Sequence, residues 1–314
     1  MEKRDVTRSD IEKILDRHEI RNASISSFPK SGQKAVFKIY TDESSFILKI
    51  YNVTPYDSID QAEFDHHIDP DEFELQKNEE NQLYTLYIER EVNASKECSI
   101  FPKMIITEKI EDYSMEDHFY KYYFEELVEG ETLNTSKYYR EENSIEEIAV
   151  FLYKALGLID EMWSTTYVHR DIKPNNVIVH GDEVKFIDPG LAKSANDEAI
   201  TRTGFVVGTP RYWAPEQQGI QSNYNWTFKT DLYPLGLLAI EMFLPEFRNQ
   251  NGPNLKDMNL VFKKWKEKDD SKESVDFFRT IINRLSSERI YRRANSIEEL
   301  QNKLLKYKGG IDRC

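Results

Sequence analysis

The 314-residue chain is 39% hydrophobic and 31% charged, enough apolar sequence to build one large or two coupled cores in a soluble globular protein. Its formal net charge of −14 argues against a nucleic-acid binder that neutralises phosphates over a broad surface. Two cysteines, Cys98 and Cys314, are too few for a disulfide framework or a zinc site, and the apolar run from Leu232 to Phe247, interrupted by Pro234, Glu241, Pro245 and Glu246, is too short to span a bilayer. A cytoplasmic protein with reduced thiols and no membrane partner is expected.

Residues 3–20 place Val6, Ile11, Ile14, Leu15 and Ile20 among charges, with Thr7 or Ser9 as N-cap, which predicts a short amphipathic helix and no signal peptide. From Ser24 the pattern turns to strands: one pair around the Pro29–Lys34 loop, a turn at Thr41–Ser45, then Phe46–Tyr51 with Lys49 among apolar neighbours. Between Tyr51 and Gln82 acidic residues face a single Lys77. A solvated insertion is expected there, and His66 and His67, being adjacent, point to different faces rather than to one metal. A helix follows at Leu83–Val92 and a strand at Tyr120–Val128. Ser144–Trp163 carries a broad apolar stripe and predicts a largely buried helix. Residues 254–272, a lysine-rich acidic mixture, read as surface helix and loop, and no internal repeat is present.

The richest chemistry lies between His169 and Gly190. His-Arg-Asp-Ile-Lys-Pro-Asn-Asn precedes an apolar run, a turn at Gly181-Asp182, a second apolar run and Asp188-Pro189-Gly190. A carboxylate accepts a hydroxyl proton, a lysine neutralises a phosphoryl oxygen, and an amide oxygen with a second carboxylate offers hard ligands to Mg²⁺. Downstream come Gly208-Thr209-Pro210, then Ala214-Pro215-Glu216, and later Asp231-Leu-Tyr-Pro-Leu-Gly and Arg293-Ala-Asn-Ser-Ile-Glu-Glu-Leu.

Together these motifs resemble eukaryotic-type (Hanks-type) Ser/Thr protein kinases, in a variant with a bacterial look, over about residues 24–307. The resemblance implies an α+β, bilobal protein-kinase fold: a small antiparallel β-sheet lobe with one regulatory helix and a larger α-rich lobe. The expected organisation is an N-terminal helical extension (1–23), a small lobe (24–126) with an acidic insertion at about 55–81, a large lobe (127–307) and a tail (308–314). ATP and Mg²⁺ are the implied cofactors, and proteins with Ser/Thr acceptors the implied partners.

Residue by residue, the resemblance makes Asp171 the catalytic base and Lys173 the γ-phosphate contact, with Asn176 and Asp188 holding the metal. Lys49 matches the lysine on the α- and β-phosphates, and Glu91 its ion-pair partner, with Glu89 and Glu79 as competitors. Gly32, Val36, Ile47 and Ile178 would surround the nucleotide, and backbone groups of Glu126 and Val128 would meet the adenine edge. Lys34 would add charge near the phosphates. In the activation segment Thr209 would bond Asp171 and Lys173, Arg170 and Lys193 would form a basic pocket for phosphorylated Thr201 or Thr203, Asp231 would hold the catalytic-loop backbone, and Arg293 would pair with Glu216.

The chain departs from the pattern in four places: Pro189 stands where the family has Phe, Gly32 is alone in the phosphate-covering loop, Ser95 interrupts an apolar column, and Glu125 puts a carboxylate at the back-pocket position. Such a carboxylate needs a partner, and Lys49 or a backbone donor is expected to supply it. These departures leave a pseudokinase scaffold or switch as the alternative reading. A small-molecule kinase is disfavoured by the Gly-Thr-Pro...Ala-Pro-Glu segment.

Overall fold

Strict alternation along β2 (Lys34–Tyr40) and β3 (Ser45–Asn52) sends Phe37, Ile39, Phe46, Leu48 and Ile50 to one face of a sheet and Lys34, Val36, Ile47, Lys49 and Tyr51 to the other. The computed structural model describes residues 5–28, 34–54, 82, 85, 86, 88–115, 118–189, 193, 194, 210–218, 226–249 and 251–308. Expectations for Gly32, the acidic insertion with His66 and His67, Thr201, Thr203, Thr209 and the last six residues lie outside that set. The chain divides into two units, Met1–Val128 and Glu129–Cys314.

In the first unit, α1 (Arg8–Arg17) is shorter than the predicted 3–20. Thr7 proves to be the cap: its hydroxyl accepts from Asp10 N at 3.3 Å while its own N–H donates to Asp10 Oδ2 at 2.8 Å. The sheet runs β1 (Ser24–Ser27), β2, β3, β6 (His118–Glu126) and β4 (Met104–Ile105), with β5 (Glu111–Met115) also on β6. Ile11, Ile14 and Leu15 of α1 bury against the apolar face of this sheet with Phe37, Leu48, Tyr122 and Phe124. Each such side chain contributes roughly 1.5–3 kcal/mol of burial. The opposite face meets helix α2, which includes residues 88–97, through Ile88 and Val92 against Tyr51 and Tyr123.

The second unit is mainly helical. After β7 (Glu131–Thr132) and α3 (Lys137–Arg140), α4 (Ile145–Ser164) starts at a Ser144/Glu147 capping box and buries Ile148, Phe151, Leu152, Leu156 and Ile159. β8 (Tyr167–Val168) pairs with β11 (Lys193–Ser194), and the β9 (Val177–His180)–β10 (Glu183–Phe186) hairpin turns at Gly181, whose φ of 59° suits a residue without Cβ. Gly130 has φ 125°, and a Cβ there would stand 2.5 Å from the Val179 carbonyl oxygen. Gly130→Ala is therefore expected to destabilise the unit by more than about 1 kcal/mol, read from the urea midpoint. No change would mean the approach to β9 relaxes freely.

The central helix α5 (Phe228–Phe243) carries Pro234 in its second turn, where it deprives the Thr230 carbonyl of its helical donor. One expectation is corrected here: α6 (Met258–Lys268) is more than a surface helix, since Trp265 is fully buried, stacks on Phe243 at 4.0 Å and donates from Nε1 to Ser274 Oγ at 2.9 Å. Val261 and Trp265, four apart, share one face, and the lysines occupy the others. The chain closes with α7 (Lys272–Phe277), a π turn at Phe278–Ile282, α8 (Asn283–Leu285) and α9 (Ile297–Leu304), whose Gln301 donates to Tyr153 O at 3.2 Å on α4.

Candidate active site

The expected site residues fall into two groups, one in each unit. In the first unit, strand register creates a charged patch. Lys34 lies opposite Tyr51, Val36 opposite Lys49, Lys49 opposite Tyr123, and Ile47 opposite Glu125, so all of these side chains share the face that meets α2. Lys49 is 2% exposed, its ammonium paired with Glu91 and, at 2.9 Å, with Glu125 Oε1. Glu91, 3% exposed, also accepts from the Tyr51 hydroxyl at 2.7 Å, and Lys34 Nζ stands 3.5 Å from its Oε1. Glu91 thus meets the strand lysine, while its competitor Glu89 is exposed on α2 and Glu79 lies outside the described residues. Glu125 finds the partner that burial demanded, since an unpaired carboxylate at 5% exposure would be costly.

This second carboxylate comes with a second cation. Lys34 was expected beside phosphates, and in this structure its ammonium faces Glu91 and the Tyr51 ring, 5.8 Å from its centroid. Val36 is half-buried and Ile47 buried on the same face. Glu126 closes β6 with its N–H donating to Lys103 O at 2.9 Å, and Val128, half-buried, ends the unit. Ser95 is half-buried on α2.

In the second unit, Asp231 on α5 is fully buried and accepts from two successive catalytic-loop amides, His169 N to Oδ2 and Arg170 N to Oδ1, both at 2.8 Å. Burial pushes its carboxyl above the usual carboxylate range, opposed by His169 and by these two backbone donors. The clamp holds Arg170 at φ 67°, a left-handed conformation that a non-glycine residue adopts at a cost. His169 Nδ1 accepts from Asp171 N at 3.3 Å, which assigns the ring proton to Nε2 and its bond to Ile187 O at 3.1 Å.

Asp171 is thereby presented with a fixed backbone. Its Oδ2 accepts from Lys173 Nζ at 2.7 Å and from Asn176 Nδ2 at 2.9 Å, and Asn176 Nδ2 also reaches Asp171 O at 2.9 Å. Asn176 O accepts from Ile187 N at 3.0 Å, and Val177 pairs with Phe186, so Asn176 and Asp188 both lie at the open end of the hairpin. Asp188 has φ 59° and is followed by the buried Pro189. Both Asn176 amide hydrogens are committed to Asp171, and its carboxamide oxygen, like the Asp188 carboxylate, is a hard oxygen donor of the kind that suits Mg²⁺. Ile178, 8% exposed, lies on the same hairpin.

The remaining expected residues brace this loop. Arg293, fully buried, forks onto Glu216 at 2.6 and 2.8 Å and also donates to Lys229 O and Ser287 O. The Arg170 guanidinium lies 4.3 Å from the centroid of the Trp226 ring. Lys193 pairs through its backbone with Val168 on β8. One residue escaped the sequence reading: Gln217 accepts from Ala214 N at 3.0 Å and donates to Arg170 O at 2.8 Å, tying the Pro-Glu-Gln turn to the catalytic loop. Its signal was the Gln three residues after Ala214, a capping-box spacing.

Residues 73–308 match the family model described as protein kinase domain. The chain belongs to the protein kinase family. A probable serine/threonine-protein kinase of Clostridium acetobutylicum is 39% identical over 124 residues, 37% of this chain and 18% of that protein. Serine/threonine-protein kinase PknL of Mycobacterium tuberculosis is 33% identical over 118 residues, 37% of this chain and 29% of that protein. For the Corynebacterium glutamicum serine/threonine-protein kinase PknA the figures are 39% over 123 residues, 37% and 24%. The match thus spans less than a third of each of these relatives. Among the described residues no helix is long and apolar enough to cross a membrane.

Proposed function

We propose that this chain is a serine/threonine protein kinase that transfers the γ-phosphate of ATP to protein hydroxyls with Mg²⁺. The observation that carries the reading is the Asp171 carboxylate, bonded by both Lys173 and Asn176 on a loop that Asp231 clamps through two amides. Asp171 takes the proton of the acceptor hydroxyl as its oxygen bonds to phosphorus and the bond to the departing ADP oxygen breaks. Lys173, already at the base, neutralises charge on the transferred group. Asn176 and Asp188 would hold Mg²⁺, which when bound neutralises phosphate oxygens. Lys49, oriented by Glu91, contacts the α- and β-phosphates, Val36, Ile47 and Ile178 pack on the base, and the backbone at Glu126 and Val128 meets its edge.

Gly32 in the covering loop, Thr209 beside the base, and Thr201 or Thr203 as autophosphorylation sites opposite Arg170 and Lys193 belong to the same reading, in a cytoplasmic protein. The test is incubation of the purified chain with γ-labelled ATP, Mg²⁺ and a general protein acceptor, followed by phosphoamino-acid analysis. Label on serine or threonine is expected, and label on tyrosine alone, or none, overturns the assignment.

Lys49 yields a second test. A phosphate must compete with two carboxylates for this ammonium, so Glu125→Gln, which removes one negative charge and keeps an acceptor, is expected to tighten ATP binding about fivefold, roughly 1 kcal/mol. Calorimetric titration reads this directly. Unchanged or weaker binding would show that Glu125 does not oppose the nucleotide.

A further inference from the structure

The kinase reading does not say which proteins are substrates, and a hollow in the second unit bears on that. Arg211 and the loop at residues 252–256 line an open hollow of about 370 Å³, with Asn254 and Lys256 among its polar residues. Lys256 Nζ donates to Pro210 O at 3.0 Å and Trp213 O at 3.1 Å, and among the described residues no carboxylate pairs with it. Burial, and then the charge of Arg211, hold its ammonium below the ordinary lysine value.

Two nearby acids make other bonds. Glu241, fully buried on α5, accepts from Arg211 Nη2 at 2.7 Å and Nε at 3.1 Å, and from the hydroxyls of Tyr139 at 2.6 Å and Tyr212 at 3.0 Å. Asp257 caps α6, accepting from the N–H groups of Asn259 and Leu260, both at 3.1 Å. Glu241 is turned toward Arg211, and Lys256 lines the hollow with no paired carboxylate among the described residues, in a chain of net charge −14. The 210–213 turn runs on to Gln217, whose side chain bonds Arg170 O, one residue before the base. The hollow thus borders the segment that Gln217 ties to the catalytic loop.

We propose that the hollow is a subsite for an anionic side chain of the protein substrate, a carboxylate or a phosphate, flanking the acceptor. The inference rests on the kinase reading for the word substrate, but binding can be read without catalysis. Three fluorescent peptides with one central serine, flanked by glutamine, glutamate or phosphoserine, are titrated by anisotropy without ATP. The wild-type chain is expected to bind at least one anionic peptide ten times more tightly than the glutamine peptide, and which one identifies the source of the charge.

Lys256→Gln should cut that preference at least fivefold, and Lys256→Arg should keep it. Asn254→Asp places a negative charge in the lining while retaining the side-chain acceptor that now bonds Lys256 N at 3.0 Å, and should also cut it fivefold without touching the lysine clamp. Equal binding of all three peptides, or a preference that survives both Lys256→Gln and Asn254→Asp, overturns the subsite. Charge-selective binding without phosphoryl transfer would sustain the subsite and remove the kinase reading. Transfer without charge preference would do the reverse.

Discussion

Asp171→Asn is expected to lower phosphoryl transfer by about 10²–10⁴-fold, the range associated with losing a positioned general base. The replacement is nearly isosteric, and its amide oxygen keeps an acceptor for Lys173 or Asn176, which now bond Oδ2 at 2.7 and 2.9 Å. Stability should therefore change by about 1 kcal/mol or less. Initial rates with labelled ATP, set beside urea unfolding of both proteins, separate the two effects. A variant that retains more than a tenth of the wild-type rate would remove Asp171 from the role of base.

Arg293→Ala is expected to cost about 3–5 kcal/mol of folding stability. Its guanidinium has no exposure, forks onto Glu216 and satisfies two backbone carbonyls, and truncation leaves a largely buried carboxylate without its cation. Glu216→Gln, which keeps an acceptor oxygen and introduces no unpaired negative charge, should cost clearly less. Both are read from urea midpoints. If Arg293→Ala costs under about 1 kcal/mol, water enters the site and the pair does not brace the large lobe.

Much of this was legible in the residues because the chemistry is local or the motif short. His169 to Asp188 lies in one stretch, so its residue types, read with the family resemblance, pointed to a base, a lysine and two oxygen donors for a metal, and strand alternation placed Lys49 inward. Glu125 was legible for a different reason: a carboxylate in an apolar strand must be paired, and Lys49 was the near cation. The Lys34–Glu91 approach was not legible, since it depends on register between β2 and β3 together with the position of α2. Glu241 was read as an interruption of an apolar run, although a lone acid inside a buried helix already implies donors converging from elsewhere, here Arg211, Tyr139 and Tyr212. Trp265 was masked by the lysines around it, because composition averages over helix faces that packing keeps distinct.

The doubly held ammonium of Lys49 bears on inhibitor chemistry. An inhibitor that pushes an apolar wing toward Glu125 would strand that carboxylate in an oily contact, whereas one carrying an amine there would take over half of Lys49's counter-charge. Compounds built on that exchange would discriminate against enzymes with an uncharged residue at this position, with selectivity arising from a mismatch imposed on the wrong target.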